Sequence, residues 1–259
     1  MLSPDKNIIN PLITLIIAIM AFPTSGLLAQ DDSKNDVTNQ VWVDFNPSFK
    51  ISKRWGINGK IGTKAIYPQS WYKTYASVEG SYSIPKFMFK KLYYDEQVSA
   101  GLKFYYVMND SSQNVIEFDT YQGYKLKWPN RKRIIIQHKV ELTERFQWGT
   151  QDLDYSFGLK LSYEGSLTWK FQGDVWKYGK GFYLACNFKF WWNLISTTVF
   201  NDVARVMPGI GYQINEKWKT AFYVGWNYTR NLSADKFSTN SIIYRFRVYY
   251  TIPNKNLNN

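Results

Sequence analysis

Residues 41–51 read VWVDFNPSFKI, and apolar and polar side chains alternate along this stretch. The apolar members are Val41, Val43, Phe45, Phe49 and Ile51, and the polar members are Asp44, Asn46, Ser48 and Lys50. A period of two residues is typical of a β-strand with one apolar and one polar face. Segments of roughly ten residues with this period follow one another as far as Ile252, with hardly a helical stretch between them. The pattern predicts an all-β chain whose residues 41–252 form a single closed antiparallel barrel.

The number of strands is predicted from these segments and from the turns between them. The segments indicate twelve strands. The runner-up count is ten and not eleven, because membrane barrels nearly always have an even number of strands. Two turns have similar sequences, ISKRW at 51–55 and INEKW at 214–218, which predicts that they lie on the same rim. Twelve strands would place them on opposite rims, so we expect one miscounted crossing within 164–193. The pair Glu164-Gly165 is interpreted as a turn.

The two ends of the chain are predicted to lie outside the barrel. An apolar run over residues 8–22, followed by small residues, predicts that residues 1–29 are a secretory signal peptide. An uncleaved membrane anchor is the alternative. Residues 30–40 are polar without periodicity and are interpreted as a flexible lead-in, and residues 253–259 are interpreted as a polar tail.

Charge and cysteine content exclude some classes of function. The net charge of +12 would indicate a nucleic-acid partner in a cytosolic protein, but the export signal argues against that partner. Cys186 is the only cysteine, which excludes intrachain disulfides and a thiolate metal cluster. No cofactor is expected.

The decisive question is which face of the sheet points into the barrel. A barrel of ten to twelve strands has an interior too wide for apolar side chains to fill easily, which favours an apolar exterior. Tryptophans lie near predicted strand ends, as in the aromatic girdles of membrane barrels: Trp55, Trp71, Trp128, Trp148, Trp191 and Trp218. We therefore predict a transmembrane β-barrel in the outer membrane, with a polar lumen and a lipid-facing exterior. A soluble exported β-barrel that binds a small apolar ligand is an alternative.

The polar face carries more basic than acidic residues. An open lumen of this composition would favour anions, which predicts a passive small channel with a weak anion preference. A plugged, purely structural barrel remains the equal alternative. Glu117 and Asp119 are interpreted as ion-pair partners rather than as metal ligands or acid–base groups. The predicted lumen charges are Lys60, Lys64, Glu117, Asp119, Lys125, Lys127, Arg133, Lys139, Glu141, Arg145, Arg205, Lys219, Arg245 and Arg247.

An enzyme is the competing class of function. Some outer-membrane barrels act on lipids, and His138, the only histidine, falls on the predicted lipid-facing side of its strand. Hydrolysis by a serine and a histidine requires a nucleophile beside the base and a third group that orients it. The same-face neighbours Ile136 and Val140 supply neither, so the sequence predicts that the protein is not an enzyme. A lipid-modifying enzyme that uses His138 is kept as an alternative.

Four short stretches resemble a known family of barrels. They are EFDTYQG (117–123), HKVELTERF (138–146), RVMPGIGYQINEKW (205–218) and YRFRVY (244–249). These stretches resemble an uncharacterised family of small Gram-negative outer-membrane barrels, the one catalogued as domain of unknown function 2490. The resemblance implies an outer-membrane β-barrel and supplies no activity. For an outer-membrane barrel we expect membrane lipid and, during insertion, the barrel-assembly machinery as partners.

Overall fold

A computed structural model of the 259-residue chain describes residues 37–67, 71–84, 87, 95–109, 113–128, 133–171, 180–196, 201–230 and 240–254. These residues form eleven β-strands. In chain order the strands are β1 (Val37–Lys50), β2 (Trp55–Tyr67), β3 (Trp71–Ser83), β4 (Asp95–Asn109), β5 (Val115–Lys127), β6 (Ile134–Gly149), β7 (Tyr155–Lys170), β8 (Gly181–Ile195), β9 (Asn201–Gln213), β10 (Trp218–Arg230) and β11 (Asn240–Ile252). Within the described residues, no helix is long and apolar enough to cross a membrane.

The strands form one closed barrel. Each strand pairs antiparallel with the next strand in the chain, and β1 closes the barrel by pairing with β11. The closing pair is parallel and runs from Val37 opposite Asn240 to Phe49 opposite Ile252. An odd number of sequentially antiparallel strands requires this arrangement, because the first and last strands then point the same way. Closure pairs the backbone groups of both end strands, so neither is left as an open edge.

The predicted count of twelve strands, and its runner-up of ten, were both wrong for the described barrel, which has eleven. The extra strand came from Glu164-Gly165, which was interpreted as a turn but lies inside β7. A Cβ atom placed on Gly165 would come within 2.0 Å of Phe188 Cζ on β8. A glycine is therefore needed at this position because the ring of Phe188 leaves no room for a side chain. It does not mark a turn.

The two similar turns lie on the same rim, as predicted, because they follow the odd-numbered strands β1 and β9. In the first turn, Ser52 Oγ accepts hydrogen bonds from the backbone N–H groups of Arg54 and Trp55 at 3.2 and 3.0 Å. In the second, Asn215 Oδ1 accepts equivalent bonds from Lys217 and Trp218, both at 2.9 Å. We call this rim the β1–β2 rim and the other the β6–β7 rim.

The boundaries of the barrel differ slightly from those expected. β1 begins at Val37, within the predicted lead-in, because residues 37–40 pair with 240–243 of β11. At the other end, Asn254 Nδ2 donates a hydrogen bond to the carbonyl oxygen of Lys50 at 2.8 Å. The predicted signal peptide, residues 255–259 of the tail, and turn residues 110–112, 129–130, 178–179 and 231–235 lie outside the described residues.

Candidate functional site in the barrel lumen

The polar face of every strand points into the barrel. Asp44, Glu117 and Thr143 are nearly fully buried, although they lie on the polar face of a one-layered sheet. On the opposite face, Ile61 is 55% exposed and Phe182 is 54% exposed. The predicted polar lumen and apolar exterior are therefore what the structure contains. This places the charges of alternate residues side by side in a confined interior.

Ten of the fourteen predicted lumen charges line one cavity of about 410 Å³. They are Lys60, Lys64, Glu117, Asp119, Lys139, Glu141, Arg145, Arg205, Arg245 and Arg247. Lys125, Lys127 and Lys219 lie on the lumen face nearer the β1–β2 rim, outside this cavity. Arg133 is exposed in the turn before β6 and is not a lumen residue. It was misassigned because the alternation was extended one residue beyond the start of the strand.

Further charged residues that were not predicted as site residues line the same cavity. They are Lys73, Glu79, Lys103, Lys160, Glu164, Lys189 and Asp202. Most of them share the phase of the predicted residues, so the alternation alone was enough to find them. Asp202 is the exception, because the pairing of β9 with β10 shifts register between Tyr228 and Thr229. A register shift of this kind leaves no clear signal in the sequence.

Glu117 on β5 is held by three donors. Its Oε2 atom accepts hydrogen bonds from Arg145 Nη2 at 3.1 Å, Gln147 Nε2 at 2.7 Å and Lys73 Nζ at 3.3 Å. The prediction that Glu117 serves as an ion-pair partner is confirmed. Its neighbour Asp119 is also buried, but its Oδ1 atom has no hydrogen-bond partner among the described residues.

Glu141 on β6 is surrounded by three lysines. Lys103 Nζ lies 2.9 Å from Oε1, Lys139 Nζ lies 2.9 Å from Oε2, and Lys189 Nζ lies 3.7 Å from Oε1. Lys139 also contacts Glu79 Oε2 on β3 at 2.6 Å. Lys103, Lys189 and Glu79 come from strands that are not neighbours of β6, so their pairs connect parts of the wall across the lumen. We call Glu79, Glu117 and Glu141 with their basic partners the carboxylate network.

A second group of charges surrounds the indole ring of Trp42 on β1. Lys64 Nζ lies 4.0 Å from the ring centroid, Arg205 Cζ 4.5 Å and Arg245 Cζ 4.9 Å. Trp42 is only 2% exposed, and its Nε1–H donates to Gln40 Oε1 at 2.9 Å. We call Trp42, Lys64, Arg205 and Arg245 the Trp42 cluster. Trp42 was not among the predicted site residues, because an apolar ring on a polar face breaks the alternation.

Trp191 was predicted to belong to an outer aromatic girdle, and this prediction was wrong. The residue is 8% exposed and lines the lumen cavity. Arg205 Cζ lies 4.7 Å from its ring centroid and Lys189 Nζ lies 5.5 Å from it. The neighbouring Trp192, 53% exposed, occupies the outer face instead. Two adjacent tryptophans near a strand end do not reveal which of them points outward.

The other predicted girdle tryptophans with described side chains lie on the outer face close to a rim. Trp55 packs on Tyr82 at a centroid distance of 4.8 Å, and Trp218 packs on Tyr250 at 4.4 Å. The ring centroids of Trp128 and His138 are 6.0 Å apart. Near the β6–β7 rim, Trp148 and Tyr155 are 5.7 Å apart. The side chain of Trp71 lies outside the described ones.

His138 lies on the outer face, as predicted. Its Nδ1 atom is 2.6 Å from the hydroxyl oxygen of Tyr163, and the two rings stack at a centroid distance of 6.0 Å. The described contacts of the imidazole are thus with Tyr163 and Trp128, which form part of the aromatic surface. Among the described residues, no group of three or more His, Cys, Asp or Glu side chains could hold a metal ion.

Comparisons of the chain with protein-family models, with curated proteins and with solved structures gave no match. The resemblance to the uncharacterised outer-membrane family therefore stays a prediction.

Proposed function

We propose that the protein is an outer-membrane β-barrel of a Gram-negative cell whose lumen is a narrow passage for small anions. The observation that carries this proposal is the distribution of polarity, with an apolar belt outside a closed barrel and charge inside it. In a bilayer, only a closed barrel satisfies all backbone groups of a sheet. Membrane lipid and the barrel-assembly machinery would be its partners.

The outer surface supports a membrane location. Large apolar side chains are exposed on ten of the eleven strands, all but β5, among them Ile61, Leu102, Val140, Ile210 and Phe222. A continuous apolar surface of this extent is rare on water-soluble monomers, whose largest patches cover a few hundred Å². The aromatic pairs at both rims match the interfacial girdles of membrane barrels.

Three pairs of polar groups on the outer face bond to one another, which suits a surface in contact with lipid. Tyr124 Oη donates to Glu96 Oε2 at 2.6 Å, and Thr120 Oγ1 donates to Glu144 Oε2 at 2.6 Å. His138 is bonded to Tyr163 in the same way. An unpaired polar group facing hydrocarbon costs several kcal/mol, so pairing between adjacent strands reduces the cost of burial in a bilayer.

The lumen supports a preference for anions. Eleven basic residues line the cavity: Lys60, Lys64, Lys73, Lys103, Lys139, Arg145, Lys160, Lys189, Arg205, Arg245 and Arg247. Six acidic residues line it: Glu79, Glu117, Asp119, Glu141, Glu164 and Asp202. A confined interior with an excess of positive charge attracts anions and repels cations.

Planar-bilayer recording of the purified protein tests the passage. We expect small, stable conductance steps and, in a salt gradient, a reversal potential that indicates anion selectivity. The variant Lys64→Gln should reduce that selectivity, whereas Lys53→Gln, in the exposed β1–β2 turn, should leave it unchanged. Cation selectivity of the wild-type protein would refute the electrostatic basis of the proposal.

A structural barrel without conductance is the second candidate. The carboxylate network favours it, because Lys139 joins β6 to β3 across two intervening strands and narrows the lumen. Absence of conductance in a correctly inserted protein would select this candidate. Insertion is checked by resistance to protease in liposomes, so a silent barrel is distinguished from one that failed to insert.

As part of the same proposal, the protein is not an enzyme. His138 has a tyrosine hydroxyl as its hydrogen-bond partner, which fits an interfacial side chain. Replacing His138 by Ala should leave conductance unchanged, and neither form should hydrolyse phospholipid. Measurable lipid hydrolysis that His138→Ala abolishes would support the enzymatic alternative. Recovery of a folded, monodisperse protein without detergent would instead favour the soluble barrel with an apolar ligand.

A further inference from the structure

The Trp42 cluster places three cationic side chains around a single buried ring. Lys64, Arg205 and Arg245 come from β2, β9 and β11, and all three charged groups lie within 5 Å of the Trp42 ring centroid. The ring face attracts each cation, but the cations repel one another in a region that is shielded from water. Such an arrangement requires compensating negative charge.

The carboxylates beside the cluster compensate only part of this charge. Asp44 Oδ2 pairs with the Nε atoms of both Arg245 and Arg247, and Asp202 Oδ2 pairs with Arg205 Nη2 at 3.3 Å. Lys64 forms no ion pair among the described residues. The same holds for Lys60, whose ammonium group lies 4.9 Å from the ring centroid of Tyr75.

Arg245 also keeps a donor without an acceptor. Its side chain is 5% exposed and lines the cavity, and its Nη2 atom has no hydrogen-bond partner among the described residues. Its Nη1 atom reaches only the sulfur of Met207, at 4.0 Å. A buried guanidinium group with a free N–H is costly unless an acceptor is supplied.

We propose that the Trp42 cluster, with Lys60 beside it, is a binding site for a small multivalent oxyanion of the phosphate class. The cavity of about 410 Å³ holds such an ion with water around it. Lysine ammonium and arginine guanidinium groups are the side chains that form strong charge-assisted hydrogen bonds to phosphate oxygens. The excess of cations over the nearby carboxylates Asp44 and Asp202 favours a multivalent anion over chloride.

This inference rests on the proposed function, because the ion would reach the site through the lumen. It goes further by replacing a diffuse positive field with one localised site. Lys64 Nζ and Arg245 Nη2 would supply hydrogen bonds to the oxyanion. The Trp42 ring would hold their side chains in place.

The site is tested by isothermal titration calorimetry, in which inorganic phosphate is titrated into the purified full-length protein in detergent. Ionic strength is held constant with chloride, so that screening of the lumen charges does not change during the titration. We expect saturable binding of phosphate and also of sulfate. The variant Lys64→Gln should weaken phosphate binding at least tenfold, which corresponds to about 1.4 kcal/mol. Lys60→Gln is the second variant and should also weaken phosphate binding.

The matched control is Lys125→Gln. It removes the same charge from the lumen face of β5, but from a position outside the cavity. Binding should stay within about twofold of the wild type, because Lys125 does not line the cavity in which the oxyanion would bind. Equal weakening by Lys64→Gln and Lys125→Gln would show a general field and overturn the site. Absence of saturable binding to the wild-type protein would overturn it without any variant.

Failure of phosphate binding and failure of ion conduction can be distinguished from each other. Anion-selective conductance without saturable phosphate binding would leave the proposed passage intact and remove the site. Saturable binding that depends on Lys64 in a barrel without conductance would keep the site and remove the passage.

Discussion

Glu141 connects lysine side chains from three strands, β4, β6 and β8. It is 5% exposed, so its charge and the charges of its partners interact with little screening by solvent. Removing one member of a buried ion pair leaves the others uncompensated, which is more costly than losing an exposed pair. The carboxylate of Glu141 is therefore expected to be the most sensitive single position in the lumen.

We predict that Glu141→Gln lowers the free energy of unfolding by about 3–5 kcal/mol, because Lys103, Lys139 and Lys189 lose their shared partner. Urea unfolding of the detergent-solubilised barrel, followed by tryptophan fluorescence, measures the change. The control is Glu216→Gln in the exposed β9–β10 turn, which should change stability by no more than about 0.5 kcal/mol. Equal effects of the two substitutions would show that the carboxylate network does not stabilise the barrel.

Single residues also mark where sequence reasoning succeeds and fails. Charges such as Lys60 and Glu117 were placed correctly, because a strand alternates strictly between its two faces. Trp42 and Trp191 were not, because a large ring is equally compatible with lipid and with a cation inside the lumen. Only the three-dimensional arrangement shows that Arg205 contacts both rings.

At the scale of the strand, Gly165 explains why β7 was divided in two. Residues on both sides of it keep the same phase, since Tyr163 and Leu167 share the outer face. A true turn would have been free to change that phase, so the unbroken alternation favoured one strand. The glycine itself could not decide the matter, because glycines occur both in turns and where another side chain approaches the backbone closely.

We predict that Gly165→Ala destabilises the barrel by about 1–3 kcal/mol, as expected for overpacking. The added methyl group would meet the ring of Phe188 at 2.0 Å. The control is Gly80→Ala, whose added Cβ would have only Ala100 O at 3.9 Å. The second substitution Phe188→Leu in the Gly165→Ala background should recover part of the loss. If Gly165→Ala is as well tolerated as Gly80→Ala, the close approach of Phe188 is refuted.

The two similar turns allow an exchange of their polar residues. Ser52 and Asn215 each accept two backbone hydrogen bonds, from the residues two and three positions later in the chain. We predict that Ser52→Ala costs about 1 kcal/mol through the lost hydrogen bonds. Ser52→Asn should retain wild-type stability in the same urea assay, because asparagine fills this position in the other turn. A loss from Ser52→Asn equal to that from Ser52→Ala would contradict the equivalence of the turns.

For the molecule as a whole, the strand count decides where the chain ends lie. The closed barrel, its polar lumen and the common rim of the two similar turns could all be predicted from the sequence. It did not find the parallel closure, because pairing of β1 with β11 is a contact between residues about 200 positions apart and leaves no local pattern. An even number of strands was assumed because most barrels of the outer-membrane type have one.

Eleven strands place the start of β1 at the β6–β7 rim and the end of β11 at the β1–β2 rim. An even-stranded barrel would place both ends at one rim, so the side of the membrane on which each end lies tests the parallel closure directly. If the barrel spans the outer membrane, as proposed, a short epitope inserted before Val37 and one inserted after Asn254 should lie on opposite sides of that membrane. Antibody labelling of intact cells and of permeabilised cells measures which side each epitope occupies.

Two reference epitopes calibrate the experiment, one at Lys53 in the β1–β2 turn and one at Asp152 in the β6–β7 turn, both exposed. The epitope after Asn254 should label together with the one at Lys53, and the epitope before Val37 with the one at Asp152. Because the reference turns follow β1 and β6, they mark opposite rims in any barrel that contains these strands. Labelling of both chain ends on one side, whether together with Lys53 or together with Asp152, would rule out the parallel pairing of β1 with β11 and return the barrel to an even number of strands.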